Sequence, residues 1–208
     1  MLAVLALTAV LLGIGGAGAA QVSLLLREGG IALVVPLATL MFAVAGLGDL
    51  HDDGTLVYLW ARPVPRWLLA VAATVATILV ALVANVGALV AVPLLGGLPE
   101  LAPAAAVAAV GGTVAYAAVF VALGLRTKRA LLWGLAYLVL FEGFLARFSQ
   151  TLSAASIRRS VEALLVHLGD LGGTARLPSL SGAVTTLVVA TALGVAATAW
   201  WLSRRDVP

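Results

Sequence analysis

The sequence predicts an all-α integral membrane protein with six transmembrane helices. Of its 208 residues, 63% are hydrophobic and only 10% are charged, whereas soluble domains have roughly 45–50% apolar and about 25% charged residues. The few charged residues also divide the chain into apolar runs of the length, about 20 residues, that crosses a bilayer as a helix. A chain with so little polar surface cannot enclose its apolar side chains in water.

Composition also excludes several kinds of site. The chain has no cysteine, which removes thiolate catalysis, disulfides and cysteine-based metal centres. Its two histidines, His51 and His167, are too far apart in sequence to favour a histidine metal site. The net charge of +3 is spread along the chain, so it does not indicate nucleic-acid binding. We therefore expect no metal and no nucleic-acid partner.

The charged and turn-forming residues predict where each span ends. The first two spans are separated by Arg27, Glu28 and a Gly-Gly pair, and the third ends in a proline- and glycine-rich turn before Glu100. The predicted spans are 2–26, 31–48, 67–95, 101–125, 130–148 and 180–202. The first has the small-residue end of a signal peptide at positions 17–19, but it lacks the positive start of one, which favours a retained helix.

The basic residues favour an orientation with both termini in the cytoplasm, because Lys and Arg prefer cytoplasmic loops. This arrangement places seven basic residues inside and five outside. Those inside are Arg62, Arg66, Arg126, Lys128, Arg129, Arg204 and Arg205, and those outside are Arg27, Arg147, Arg158, Arg159 and Arg176.

A short cytoplasmic helix is predicted at about 52–62, between the second and third spans. Asp52 or Asp53 can cap its N-terminus. An apolar stripe follows at helical spacing, made of Leu56, Leu59 and Trp60. Pro63 ends the helix. Such a stripe lies either on the membrane surface or on a partner.

A second amphipathic helix is predicted outside the cell, at about 149–170, between the fifth and sixth spans. Its apolar face is formed by Ile157, Val161, Leu164, Leu165 and Leu168. Arg158 and Glu162 stand at i, i+4 spacing and can pair beside this face. We expect the helix to lie in, or dip into, the outer leaflet, either as an anchor or as a gate.

Polar residues inside spans are costly and often functional. The candidates for a substrate pathway are Asn85, Tyr116, Tyr137 and Glu142. Glu142 is the one carboxylate within an otherwise apolar run, and near the outer end of its helix it could instead reach water or pair with Arg147. Asn85 is expected to form an interhelical hydrogen bond rather than to bind a ligand.

The segment between the second and third spans resembles the signature of ABC-2 type membrane subunits of ATP-binding cassette transporters. The similarity is carried by Gly54-Thr55-Leu56, by Leu59 and by Arg62-Pro63-Val64-Pro65-Arg66. A looser similarity to small bacterial permeases of this type covers 137–160. The six spans, with a helical segment before the last, also look like this family.

The resemblance implies a function and a set of partners. The short helix would be a coupling helix that docks on a separate ATPase subunit, of which there are two copies. The docking residues would be Asp53, Gly54, Thr55, Leu56, Leu59, Trp60, Arg62, Pro63 and Arg66. A second copy of this chain, or a similar subunit, would complete the pathway, and the membrane lipids of a bacterial inner membrane would surround it. Export of a small hydrophobic or amphipathic compound is the expected activity.

The chain has no Gly-x-x-x-x-Gly-Lys-Ser/Thr motif, so ATP and Mg²⁺ are expected on the partner ATPase rather than on this chain. Two other functions fit the composition. A membrane scaffold or assembly protein would share every feature except the motif. An integral membrane lipid transferase is suggested by a distant similarity of Asp52-Asp53-Gly54 and Ala61-Arg62 to the CDP-alcohol phosphotransferases, but Val57-Tyr58 stands where that family has Ala-Arg. We expect no catalytic residue in this chain.

Overall fold

The computed structural model of the protein describes residues 19–52, 66–127, 129–145, 155–171 and 177–204. These ranges contain helices and no strand. In chain order the elements are α1 (Ala19–Leu24), a first π segment (Leu25–Val34), α2 (Val35–Asp52), α3 (Arg66–Leu95), a 3₁₀ turn (Pro99–Leu101), α4 (Ala102–Arg126), α5 (Ala130–Ala136), a second π segment (Tyr137–Leu145), α6 (Ile157–Leu168) and α7 (Leu180–Arg204).

Four helical stretches in the described part of the chain are long and apolar enough to cross a membrane. They are Ala20–Ala45, Val71–Leu95, Pro99–Arg126 and Leu180–Trp201. The last three agree with the predicted spans at 67–95, 101–125 and 180–202. These four helices indicate a multi-pass transmembrane protein.

The predicted loop between the first and second spans is wrong. The chain is helical without interruption from Ala19 to Asp52, and the loop position falls within the first π segment. The prediction failed because Arg27 and Glu28 each form an ion pair with a residue of α6, so their charges need no turn in water. Gly30 is buried against Leu89 of α3. The preceding part of the predicted first span, 2–18, lies outside the described residues.

The predicted fifth span corresponds to a shorter apolar helix, Ala130–Phe144. It combines α5 with the second π segment and stays apolar up to Glu142. The predicted coupling helix at 52–62 lies outside the described residues apart from Asp52, which is the last residue of α2. Arg66 is the first residue of α3.

Helix α4 lies at the centre of the bundle and contacts α2, α3, α6 and α7. Its side chains are small, so neighbouring backbones come close, as in other membrane helix pairs. The closest approach is at Gly194 of α7, where an added Cβ would lie 2.6 Å from the carbonyl carbon of Ala118. Gly112 lies between Val35 of α2 and Val161 of α6.

The predicted second amphipathic helix is described from Ile157 to Leu168, and its apolar face contacts other helices rather than lipid. Helix α6 packs against α4, α7 and the first π segment, and Val161 and Leu165 are fully buried. It runs antiparallel to α4, because Val161 lies beside Gly112 whereas Gly169 lies beside Ala104. Its apolar face packs on the small residues of α4, which allow the two helices to come close.

Candidate functional site

Two half-length helical elements meet inside the bundle beside the middle of α4. The second π segment approaches from the Arg126 end of α4, with Tyr137 packed edge-on to Phe120 at a ring distance of 6.3 Å. Helix α6 begins near the same level and continues toward the opposite end of α4. Together they form a discontinuous helical path through the apolar part of the protein, a feature that transporters use near the bilayer midplane.

Glu142 caps the N-terminus of α6 from the second π segment. One carboxylate oxygen accepts hydrogen bonds from Ile157 N at 3.0 Å and from the Tyr137 hydroxyl at 3.0 Å. The other accepts from Arg158 N at 3.2 Å and from the Ser156 hydroxyl. The carboxylate thus satisfies amides that have no partner within the helix, and its negative charge complements the positive end of the helix dipole.

Ser156 completes the cap. Its Oγ accepts a hydrogen bond from Arg159 N at 3.2 Å while its hydroxyl donates to Glu142. Serine is one of the residues that favour this position, because its side-chain oxygen reaches the amides of the first turn. The predicted contact of Glu142 with water is therefore corrected, since Glu142 is 5% exposed and accepts four hydrogen bonds; Arg147 lies outside the described residues.

Aromatic rings surround this carboxylate. Tyr137 stacks on Phe141 at 5.4 Å, and Tyr116 of α4 stacks on Phe120 at 5.6 Å. The Tyr116 hydroxyl is buried beside Glu142, with which it interacts electrostatically, and it makes no hydrogen bond of good geometry with a described residue.

Two ion pairs connect the first π segment with α6. Arg158 Nη2 lies 2.9 Å from Glu28 Oε2, and Arg27 Nη1 lies 3.8 Å from Glu162 Oε1. The predicted i, i+4 neighbours Arg158 and Glu162 thus each have a partner on another element. Ionisable residues inside membrane proteins usually pair in this way and face the bundle interior or a hydrated cavity.

A lateral groove of about 800 Å³ opens between the first π segment, α2 and the second π segment. Apolar side chains line most of it, and four polar residues converge at one end. The apolar lining includes Leu33, Leu37, Leu135, Leu138, Val139, Leu140 and Phe144, and the polar residues are Glu28, Tyr116, Glu142 and Arg158. This lining suits a ligand with an apolar body and one polar group.

Asn85 belongs to a separate polar cluster. Its Nδ2 donates hydrogen bonds to Thr39 Oγ1 of α2 at 3.0 Å and to Thr113 Oγ1 of α4 at 2.9 Å. The predicted interhelical hydrogen bond is confirmed, and it joins three helices. Asn85 is fully buried and does not line the groove.

The structure brings together three of the four predicted pathway residues, Tyr116, Tyr137 and Glu142, and leaves Asn85 apart. Sequence reasoning missed Glu28 and Arg158 as groove residues because it assigned them to a loop and to a surface pair. One signal in the sequence could have found them. Each segment carries one Arg and one Glu, at 27 and 28 and at 158 and 162, so the two segments can form two ion pairs with each other. The predicted docking residues from Asp53 to Pro63 lie outside the described residues.

The described part of the chain contains no group of three or more His, Cys, Asp or Glu side chains that could hold a metal ion. No protein-family model matches the sequence, and no curated protein or solved structure shows significant similarity to it.

Proposed function

We propose that this chain is the membrane-spanning subunit of an ABC-2 type ATP-driven exporter. The observation that carries the proposal is the series from Gly54-Thr55-Leu56 to Pro63-Val64-Pro65-Arg66, placed between two apolar helices. A proline-terminated helix joined directly to α3 would pass the movement of a docked ATPase into the membrane. The ATPase would supply ATP and Mg²⁺ binding, and this chain would have no catalytic role.

The arrangement around Glu142 supports a transport function. Transporters commonly place substrate sites where discontinuous helices meet near the bilayer midplane, and the second π segment and α6 form such a junction. The adjoining groove, with apolar walls and one polar end, favours a small hydrophobic or amphipathic substrate over a large hydrophilic one.

A dimer of this chain, or a pair with a similar subunit, would form the complete pathway. The described helices pack around α4, whose contacts with its neighbours are made largely by small buried side chains. A path for a substrate would therefore lie beside α4, between two subunits.

The test is co-purification of an ATP-binding cassette ATPase with the detergent-solubilised protein from its native host. We expect the ATPase to accompany the wild-type protein and to be lost with Leu59→Asp, because a carboxylate in the predicted apolar stripe would oppose docking. Tyr58→Asp is the matched control, since Tyr58 falls on the opposite side of the predicted helix and its replacement should retain the ATPase. Absence of any ATPase from the wild-type preparation would contradict the proposal and favour a membrane scaffold.

A further inference from the structure

The polar end of the lateral groove contains three charged residues that differ sharply in accessibility. Glu142 is 5% exposed and has four hydrogen-bond donors. The Arg158 side chain is 17% exposed and bonds Glu28. The Glu28 side chain, in contrast, is 60% exposed although one of its oxygens accepts the Arg158 bond. The charge that a ligand in the groove would meet first is therefore negative.

The position of Glu28 makes this exposure unusual. Glu28 lies within the membrane-crossing stretch Ala20–Ala45, where an accessible carboxylate is costly unless water or a positive group accompanies it. Among the described residues, Arg158 supplies one such positive group. A cationic ligand in the groove would supply a second and would reduce the cost of keeping Glu28 ionised.

A second observation points to the same end of the groove. Tyr116 lines this end of the groove, and its buried hydroxyl, beside Glu142, makes no hydrogen bond of good geometry with a described residue. A buried hydroxyl without a partner is costly, so a ligand group that bonds it would gain affinity. The remaining walls are apolar and include the exposed side chains of Leu33 and Val139, which would contact an apolar body.

We infer that the lateral groove binds an amphiphilic cation, with the positive group beside Glu28 and Tyr116 and the apolar body along the first and second π segments. Binding of such a cation does not depend on the function proposed above. Only the identity of this cation as the exported substrate rests on that function. Neutral lipid and a second copy of the chain are the other occupants that the test separates from a cation.

The test measures binding of radiolabelled tetraphenylphosphonium to the full chain in nanodiscs of zwitterionic lipid, after subtraction of binding to empty nanodiscs. Tetraphenylborate, an anion of nearly the same size and shape, is the ligand control. We expect saturable binding of the cation and none of the anion. Equal binding of the two ions would overturn the inference, because the groove would then act only as an apolar surface.

Two variants locate the site. Glu28→Gln should raise the Kd for the cation about tenfold, the effect of losing one charged interaction, while Glu100→Gln should leave it unchanged because Glu100 is exposed and lies outside the groove. Leu33→Trp fills the groove and leaves its charges in place, so it should abolish binding by steric exclusion, whether or not Glu28→Gln folds well. Unchanged binding in Leu33→Trp, or none in the wild type, would reject the site.

The oligomeric state of each preparation distinguishes a second copy from a ligand. If Glu28→Gln dissociates a dimer and the wild type binds no cation, the groove is a subunit interface and the inference fails. The assay contains no ATPase. Cation binding without ATPase co-purification would therefore support this inference and contradict the proposed function. ATPase co-purification without cation binding would support the proposed function and overturn this inference.

Discussion

At the scale of single residues, Glu142 shows how a charge can be stabilised inside an apolar protein. Four donors surround its carboxylate, and two of them are the first amides of α6. The interaction stabilises both partners. Without it, the first amides of α6 would have no acceptor and the Glu142 carboxylate would be an unpaired buried charge. Glu142 is thus a structural element of the junction as well as a groove residue.

Glu142→Ala should therefore lower the free energy of unfolding by about 3 kcal/mol, since it leaves several buried donors unsatisfied. Glu142→Gln should cost less, because its amide oxygen can still accept some of these bonds. Thermal unfolding in detergent, followed by tryptophan fluorescence, measures both variants. Glu100→Ala serves as the control for an exposed glutamate, and a loss in Glu142→Ala no greater than in this control would contradict the capping role.

At the scale of elements, small residues set the distances between helices. Gly194 of α7 touches the backbone of Ala118 in α4, so a Cβ at this position would overlap atoms that cannot rotate away. Gly87 of α3 also lies within a helix, but a Cβ there would meet nothing within 4 Å. The two glycines share a backbone conformation and differ only in their surroundings.

Gly194→Ala should destabilise the protein by about 1–3 kcal/mol, because α4 and α7 must move apart to admit the methyl group. Gly87→Ala should be neutral or stabilising by up to about 1 kcal/mol, because alanine restricts the unfolded chain and favours a helix. Thermal unfolding of both variants under one set of conditions compares them. Equal effects at the two positions would show that the contact between α4 and α7 is not close.

At the scale of the whole molecule, the helix ends that carry basic residues lie together. Helices α3 and α4 form an antiparallel pair joined near Glu100, and Arg126 at the end of α4 lies 5.0 Å from the Trp201 ring near the end of α7. Arg66, Arg126, Arg129 and Arg204 are consequently at one end of the bundle, and Glu100 is at the other. The preference of basic residues for the cytoplasm predicts which end is inside.

Single-cysteine variants can test this orientation, because the natural chain has no cysteine. A membrane-impermeant maleimide added to intact spheroplasts should label Glu100→Cys directly, and it should label Arg129→Cys only after the membrane is permeabilised. Both positions are exposed, so a lack of labelling would not come from burial. The reverse pattern would place the termini outside and would contradict the predicted orientation.

The sequence by itself determined the class of the protein and the position of the helices at 67–95, 101–125 and 180–202. Hydropathy is a local property, and an apolar run bounded by charges or prolines must form a helix to satisfy its backbone in lipid. The hydrogen bonding of Asn85 followed in the same way, because a buried amide in a span needs a partner on a neighbouring helix.

Only the tertiary structure decided how the remaining charges are used. From the sequence, Arg27 and Glu28 predict a loop, because their partners on α6 are distant in the chain. The partner of Glu28 is 130 residues away. The apolar face of α6 fits a membrane surface and a bundle interior equally well, and the small residues of α4 decide between them. A local pattern records that a charge or an apolar face needs a partner, but the three-dimensional packing determines which partner is within reach.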